Sequence, residues 1–404
     1  MSGYFEDGTA GRLKFWTAPV DVIAGGRSLF HSDNPRAALR FSHESDAYGI
    51  LRTPDALKFA EAYVHGQMDI EGDIYAAILL KEQFYPKALR LRDKGRIVFD
   101  VLRSYKTHTR SNDRNFISHH YEHPNDFYRL FLGDSMTYSC AYFDDGDASL
   151  DEAQEKKISH LLSKLHIQPG DRLLDIGCGW GSLVIKAARE YDVKALGITL
   201  SRTQHDYANK RLDELGLQGN CRVKLLDYRD VEPGLQFDKI VSVGMYEHVG
   251  GHNLSAYFKK VNELLRPDGL FVNHGITCQA KSDWRKASEA LFIDKYIFPG
   301  GELHSCNKVV AGMEAAGFEV FDVESLRKHY VKTLRCWVDN LQQNAAAARK
   351  LVPESVYRAW VLYMAGCALT FEEGYLNIHQ ICGSKTDRYG GREIPMTRAH
   401  LYRK

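Results

Sequence analysis

The stretch Leu173-Leu174-Asp175-Ile176-Gly177-Cys178-Gly179-Trp180-Gly181 constrains this chain more than any other. An apolar run carries an acid near its end, and three alternating glycines then open an amphipathic stretch, Ser182–Tyr191. That order predicts a buried strand, a sharp turn and a helix. Glycine permits positive φ and lets a ligand lie against bare backbone. Several nucleotide-binding folds put such a turn at the carboxyl end of a strand, so the glycines alone choose no ligand. Asp175 narrows the choice. It precedes the turn, and no Lys-Ser or Lys-Thr follows as in phosphate-cradling loops. A carboxylate there suits an ammonium group better than a pyrophosphate.

From residue 171 to 275 apolar runs alternate with amphipathic stretches, the pattern of parallel strands covered on both faces by helices. Strands are expected at 172–176, 194–199, 222–226, 239–243 and 270–274, with helices at 182–191, 201–215 and 254–265. After Ile276 a polar stretch with Trp284, Phe292, Tyr296, Phe298 and the turn Pro299-Gly300-Gly301 interrupts the rhythm. Such an insertion suits a lid over the strand ends. A strand at 318–323, helices at 330–351 and 354–373 and a last strand at 375–381 follow. Before residue 115 only short elements are legible, punctuated by Gly25-Gly26, Pro35 and Pro54. At 404 residues two domains are the default, and the boundary is expected at 114: a smaller domain at 1–114 and a catalytic α/β domain at 115–404.

A net charge of +1 removes the case for nucleic acid as a partner of the whole surface. Charge is uneven only at 81–114, where ten Lys and Arg face four acids. That junction suits anionic headgroups as well as it suits an ordinary solvated helix. Eight scattered cysteines without a C-x-x-C pair, and a start without an apolar signal stretch, imply reduced thiols in a cytoplasm. No apolar run is long enough to span a bilayer. His248 and His252 are spaced i, i+4, but no further ligand motif accompanies them and no metal is expected.

The acid-then-glycine order resembles motif I of class I methyltransferases, whose ligand S-adenosylmethionine carries an amino-acid end and a sulfonium. The resemblance implies a Rossmann-like, mostly parallel sheet with flanking helices and a lid insertion, plus the smaller N-terminal domain. Asp175, Gly177, Gly179 and Gly181 would hold the cofactor. Many such folds end the second strand on an acid that binds ribose, whereas here the strand reads Gly197-Ile198-Thr199-Leu200-Ser201. Ser201 could equally cap the next helix. Asp227-Tyr228 follows the third strand, where adenine usually lies, and Asp227 reads equally as a loop cap.

Further motifs narrow the family. The Thr199-Leu200-Ser201 segment completed by Gln204, the segments Phe127–Gly133 and Met136–Phe143, and Ser242–Gly250 resemble the cyclopropane fatty acid synthases. Tyr138 then joins the cofactor set. Such enzymes add the sulfonium methyl to a carbon–carbon double bond and remove a proton to close the ring. In the family the base is a bound bicarbonate, and its motifs carry over to Cys140, Glu247, His274, Ile276 and Tyr330. Gly275 departs from the His-Thr-Ile common in relatives. Each residue also has an ordinary explanation: a packed Cys, a helix-capping Glu, a core His, a first-turn Tyr. The joint pattern carries the inference. Tyr246, Phe271, Trp284, Phe292, Tyr296 and Phe298 are candidates for an acyl channel, with core packing as the alternative.

The segment Ala62–Asp73 resembles the N-terminal domain of phospholipid-modifying members, which the shorter mycolic acid enzymes lack. The implied substrate is an unsaturated phospholipid acyl chain, reached from the inner face of the membrane by a peripheral cytoplasmic enzyme; a homodimer is compatible with this. Three rivals stay open: a methyl-branched or methylene product from the same cation, an amine N-methyltransferase, and a non-catalytic lipid-binding protein.

Overall fold

The strand carrying Asp175 lies inside the larger of the two sheets formed by the described residues. The computed structural model describes residues 19–52, 56–80, 123–144, 148–232, 234–279, 288–386 and 394–402. The basic junction at 81–114, with the domain boundary expected at its end, and Trp284 lie outside the described residues.

Among the described residues the first elements are β1 (Val20–Ala24), β2 (Arg27–Phe30), β3 (Ala37–Phe41), α1 (Glu44–Arg52), α2 (Ala56–Val64), β4 (Met68–Gly72) and α3 (Ile74–Leu79). Next come α4 (Asn125–Leu132), α5 (Leu150–Lys164), β5 (Arg172–Ile176), α6 (Ser182–Tyr191), β6 (Lys194–Thr199), α7 (Arg202–Leu215), β7 (Cys221–Leu225), β8 (Phe237–Val243), α8 (Leu254–Leu264) and β9 (Leu265–Cys278). The remainder holds α9 (Ser288–Tyr296), β10 (His304–Ser305), α10 (Cys306–Ala315), β11 (Phe318–Ser325), α11 (Arg327–Gln343), α12 (Ala345–Leu351), α13 (Glu354–Glu372) and β12 (Leu376–Lys385). The helix expected over 330–351 is broken at Asn344, which precedes α12 with no helical continuity.

Two compact units form. The first joins Met1–Tyr105 to Asp283–Pro299 and Leu341–Leu369; the second holds Lys106–Ser282, Gly300–Asn340 and Thr370–Lys404. In the first, strands run in the order β2-β1-β3-β4, with β1 and β3 parallel and the outer pairs antiparallel. The insertion after β9 belongs to this unit. Lys295 on α9 lies 2.6 Å from Glu61 on α2, and the Tyr296 hydroxyl lies 3.1 Å from His65 Nε2. Phe292 packs on Tyr296, and Phe298 meets the edge of Tyr363. All three channel candidates make their ring contacts within the first unit. Arg358 on α13 ties the same unit together, donating to the carbonyls of Tyr63 and Met68 and pairing with Asp69 at 2.6 Å.

In the second unit the order is β7-β6-β5-β8-β9-β12-β11, with β10 paired to β9. Every strand runs one way except β12, antiparallel to both neighbours. The central strands read as apolar runs because helices cover both faces. On one face Leu161, Leu162, Leu183 and Val184 of α5 and α6 pack on the sheet; on the other, Tyr257, Phe258, Val309 and Met313 of α8 and α10 do so. Phe271, a channel candidate, lies in this second layer against Phe258 and Phe318. Strand order reverses between β5 and β8, and the crevice at their carboxyl ends is where open α/β sheets bind ligands.

Helix α5 opens with a capping box, Ser149 and Glu152 exchanging side-chain and backbone hydrogen bonds. Its other end is pinned to β11. Buried Lys164 places Nζ 2.6 Å from Glu324 and 3.4 Å from Asp322, while His160 Nε2 lies 2.7 Å from Glu324. Burial pushes the Glu324 carboxyl up, but His160 and Lys164 outweigh it and hold the group near about 2. Breaking one arm of a buried ion pair strands the other charges. Lys164→Met is therefore expected to cost roughly 3 kcal/mol, the low end for such pairs because His160 and Arg398 still face the two acids. Urea unfolding measures this, with the exposed Lys210→Met as the comparison expected to change nothing.

Candidate functional site

The turn after β5 folds back on β6. The backbone N–H groups of Gly177 and Cys178 both donate to the Ile198 carbonyl, at 2.9 and 3.0 Å. This hairpin-like reversal needs positive φ at Gly177 (84°) and Gly179 (56°). A side chain at Gly177 would press on Met245, whereas nothing lies within 4 Å of one at Gly179. Bare backbone there faces a cavity of about 140 Å³. Gly181 caps α6 in the left-handed region and packs against Ala208, outside the cavity wall.

Asp175, only 2% exposed, looks into this cavity, and its Oδ1 has no hydrogen-bond partner. Burial pushes its carboxyl up to about 7, with Lys157 pulling the other way. Opposite, Thr199 Oγ1 donates to Gln204 Oε1 at 2.8 Å, which leaves the Gln204 amide nitrogen as a donor facing the cavity. Ser201 caps α7 by accepting from Gln204 N and does not line the wall, so at this position the capping role is the one realised. Tyr228 lines the cavity. Asp227 does not; its carboxylate accepts from Arg229 at 2.6–2.9 Å and caps the following turn.

The segment Met136–Ser139 also lines the cavity. Two residues of α5 hold it: Gln154 Nε2 donates to the carbonyls of Thr137 and Ser139, and Lys157 Nζ lies 2.9 Å from Ser139 Oγ. From α11, Thr333 accepts from Ala141 N and His329 Nδ1 accepts from Phe143 N. Trp180, also on the wall, donates to Asn125 on α4 at 2.7 Å and packs on Tyr128.

Next to this cavity the expected anion residues come together. Glu247 Oε1 accepts from Ile276 N at 2.7 Å, and the Tyr246 hydroxyl donates to the Ile276 carbonyl. Ile276 pairs with Ile378 on β12, whose carbonyl accepts from Leu326 N. The Leu326 carbonyl in turn accepts from Tyr330 N at 3.0 Å and lies 3.8 Å from Cys140 Sγ. A continuous chain of contacts therefore links Ile276, Tyr330 and, through its thiol, Cys140. Burial pushes the Cys140 thiol well above its usual range, so it is no thiolate nucleophile. His274 abuts the first cavity, its carbonyl accepting from Gly244 N at 2.8 Å.

Two polar atoms in this cluster lack partners. Glu247 Oε2 is buried and unpartnered, and burial pushes its carboxyl up to about 7. His274 Nδ1 lies 3.1 Å from the Gln380 amide nitrogen, which can only donate. Nδ1 therefore accepts, and Nε2 carries the ring proton with nothing to receive it. Burial, with Lys157 and Lys164 nearby, keeps the ring neutral. Gly275 fits by close approach: a Cβ there would sit 2.1 Å from the Tyr246 ring and 3.0 Å from Glu247. The small residue lets Tyr246 reach the Ile276 carbonyl.

The sheet order, the antiparallel β12 and a glycine turn beside an unpartnered acid define a class I methyltransferase. Comparisons agree and go further. Residues 108–381 match the family model described as mycolic acid cyclopropane synthetase. A probable fatty acid methyltransferase of Pseudomonas putida is 43% identical over 97% of this chain and 96% of its own length. Another, from Mycobacterium tuberculosis, is 40% identical over 95% and 96%. A mycolic acid cyclopropane synthase, CmaA1, solved in complex with SAH and CTAB, superposes with a TM-score of 0.65 at 38% identity, covering 67% of this chain and 98% of its own. The chain belongs to this cyclopropane synthase family of S-adenosylmethionine-dependent methyltransferases.

The residues present fit that donor: Asp175 has a free carboxylate oxygen for an ammonium, and Gly179 leaves backbone bare beside it. Five contributors escaped the sequence reading: Gln154, Lys157, His329, Thr333 and Gln380. Lys157 falls on the buried stripe of α5, four residues after Ala153 and four before Leu161, and a lysine on such a stripe is the signal that could have found it.

An ammonium ligand needs Asp175 ionised, so binding must expel its proton. The sign follows from the raised carboxyl: in the free protein its contribution to stability is full below the ordinary carboxylate range and is lost as pH rises through about 7. S-adenosylhomocysteine affinity is expected to fall as pH drops below 7, approaching tenfold per unit, with proton release in calorimetry. Asp175→Asn should flatten the profile; a wild-type affinity unchanged between pH 5.5 and 7.5 would contradict this role.

Proposed function

We propose that this enzyme places the methyl carbon of S-adenosylmethionine on the double bond of an unsaturated phospholipid acyl chain and closes a cyclopropane ring. What carries the reading is the pair of buried, unpartnered polar atoms beside the cofactor cavity, Glu247 Oε2 and His274 Nε2. A carbon acceptor that ends in proton loss needs a base, and no thiolate is at hand to be alkylated. Glu247, His274 and the backbone at Ile276 and Cys140 would hold a bicarbonate, which supplies a base small enough to sit against the new methyl. Glu247 can accept from its hydroxyl while the His274 Nε2 proton donates to an anionic oxygen. The aromatic faces of Tyr330, Trp337 and Tyr138, successive neighbours at 6.0 and 5.2 Å, suit a passing positive charge.

The phospholipid acceptor is supported by length. The cyclopropane mycolic acid synthases match about 66% of this chain, whereas the probable fatty acid methyltransferases match nearly all of it, including the N-terminal unit. Among the described residues no helix is long and apolar enough to cross a membrane. The enzyme would work from the lipid surface, with the basic stretch at 81–114 attracted to anionic headgroups at about 1 kcal/mol per residue close to the surface. That those full-length relatives are named fatty acid methyltransferases also favours a second reading, a methyl-branched or methylene product from the same cation.

Purified protein incubated with methyl-labelled S-adenosylmethionine and vesicles of unsaturated phosphatidylglycerol and phosphatidylethanolamine is expected to label the acyl chains. Cyclopropane protons in the NMR spectrum of the product select the first reading, and a methyl or methylene signal selects the second. Label found only on an amine sinks both.

Carbonate dependence tests the base separately. In carbon dioxide-free buffer the rate is expected to drop at least tenfold and to recover on adding bicarbonate, while Glu247→Gln loses most activity and the response with it. A rate indifferent to bicarbonate removes the anion from the mechanism without touching the acceptor assignment.

A further inference from the structure

Lys157 is 2% exposed, on the wall of the cofactor cavity, and its Nζ makes one hydrogen bond, 2.9 Å to the neutral hydroxyl of Ser139. Among the described residues no carboxylate stands within 4 Å of it. The contrast with Lys164 on the same helix is direct. That lysine, equally buried, meets Glu324 at 2.6 Å and Asp322 at 3.4 Å. An ammonium taken out of water costs several kcal/mol unless an anion compensates it, so Lys157 is a buried cation without its counter-charge.

The same cavity holds the mirror image, Asp175, equally buried and with an unpartnered oxygen. The two charges feel each other, since each shifts the other's titration, yet they do not pair. Two opposite charges kept apart on one cavity wall are the complement of a zwitterion. The amino-acid end of S-adenosylmethionine is one, with an ammonium and a carboxylate on a single carbon.

We propose that Lys157 is the binding residue for the carboxylate of the methyl donor's amino-acid end, with Ser139 steering the ammonium and Asp175 taking the donor's own ammonium. The assignment rests on S-adenosylmethionine being the donor. It also accounts for Gln154: by holding the carbonyls of Thr137 and Ser139 one turn earlier on α5, it fixes the Ser139 hydroxyl against Lys157. Without a ligand, burial pulls the Lys157 ammonium down to about 8. The rival anion is the bicarbonate of the proposed mechanism. Cys140, Glu247, His274, Ile276 and Tyr330 do not line this cavity, whereas Lys157 and Asp175 do.

The test compares S-adenosylhomocysteine with its decarboxylated analogue, which keeps the ammonium and lacks only the carboxylate. Calorimetric Kd values are measured for wild type, Lys157→Met and Lys157→Gln, the second variant keeping a polar partner for Ser139 should the first not fold. Either variant is expected to weaken S-adenosylhomocysteine at least tenfold and to leave the analogue within about twofold. The proposal is overturned if both ligands weaken by the same factor, which is a structural role, or if S-adenosylhomocysteine binding does not change. A change confined to the bicarbonate requirement of turnover overturns it too, in favour of the rival anion. Wild-type protein that binds neither ligand overturns the donor assignment itself.

Discussion

The segment Met136–Phe143 belongs to no helix or sheet, and both halves of the active centre hang on it. Buried backbone groups outside regular structure must find partners elsewhere. Here side chains supply them: Gln154 from α5, and Thr333 and His329 from α11. One side of the segment presents Tyr138 and Ser139 to the cofactor cavity; its continuation places Cys140 against the Leu326 carbonyl. A shift of this segment would disturb the cofactor cavity and the cluster around Cys140 together. That explains why α5 is fastened so firmly at its far end, where Lys164 and His160 grip β11 through Glu324.

The same logic orders the sheet beyond the cofactor. Glu324, Gln380 and His274 stand side by side on β11, β12 and β9. Reversing β12 brings Gln380 alongside His274, where its amide fixes which ring nitrogen carries the proton. Were Nδ1 protonated instead, Nε2 would present a lone pair to the anion proposed there and would repel it. A strand whose direction looks like a topological detail thus sets the polarity of a hydrogen bond at the site.

What the sequence made legible follows burial. Strands β5, β6 and β8 read plainly because helices on both faces demand unbroken apolar runs, and the turn read plainly because its backbone angles exclude side chains. The four-stranded N-terminal sheet did not read as one: its strands are four or five residues long, and β2 and β4 are largely exposed. The membership of α9 in that unit was hidden as well, because it depends on pairings such as Glu61 with Lys295, over two hundred residues apart. Glu247, His274 and Tyr330 were reached through motifs. Lys157 and Gln380 were not, since one sits in a charged Glu-Lys-Lys run and the other in a ten-residue strand where polar and apolar residues mix, and only the fold shows which of these polar groups face inward.

The electrostatic character of the centre follows from holding its few charges singly and apart. The donor carries a sulfonium, and addition of its methyl to an alkene would put a positive charge on the acyl chain. A surplus of fixed cations near that carbon would oppose the reaction, while a surplus of fixed anions would compete for the methyl. The wall of the cofactor cavity offers one acid and one lysine, each matched to an opposite charge of a zwitterion, and so adds no net field once the donor is bound. The neighbouring cluster offers a neutral histidine, a protonated thiol and a carboxyl poised near about 7. None of these is a strong nucleophile. The one full negative charge left to stabilise the acyl cation and remove its proton would then be carried by the anion held there.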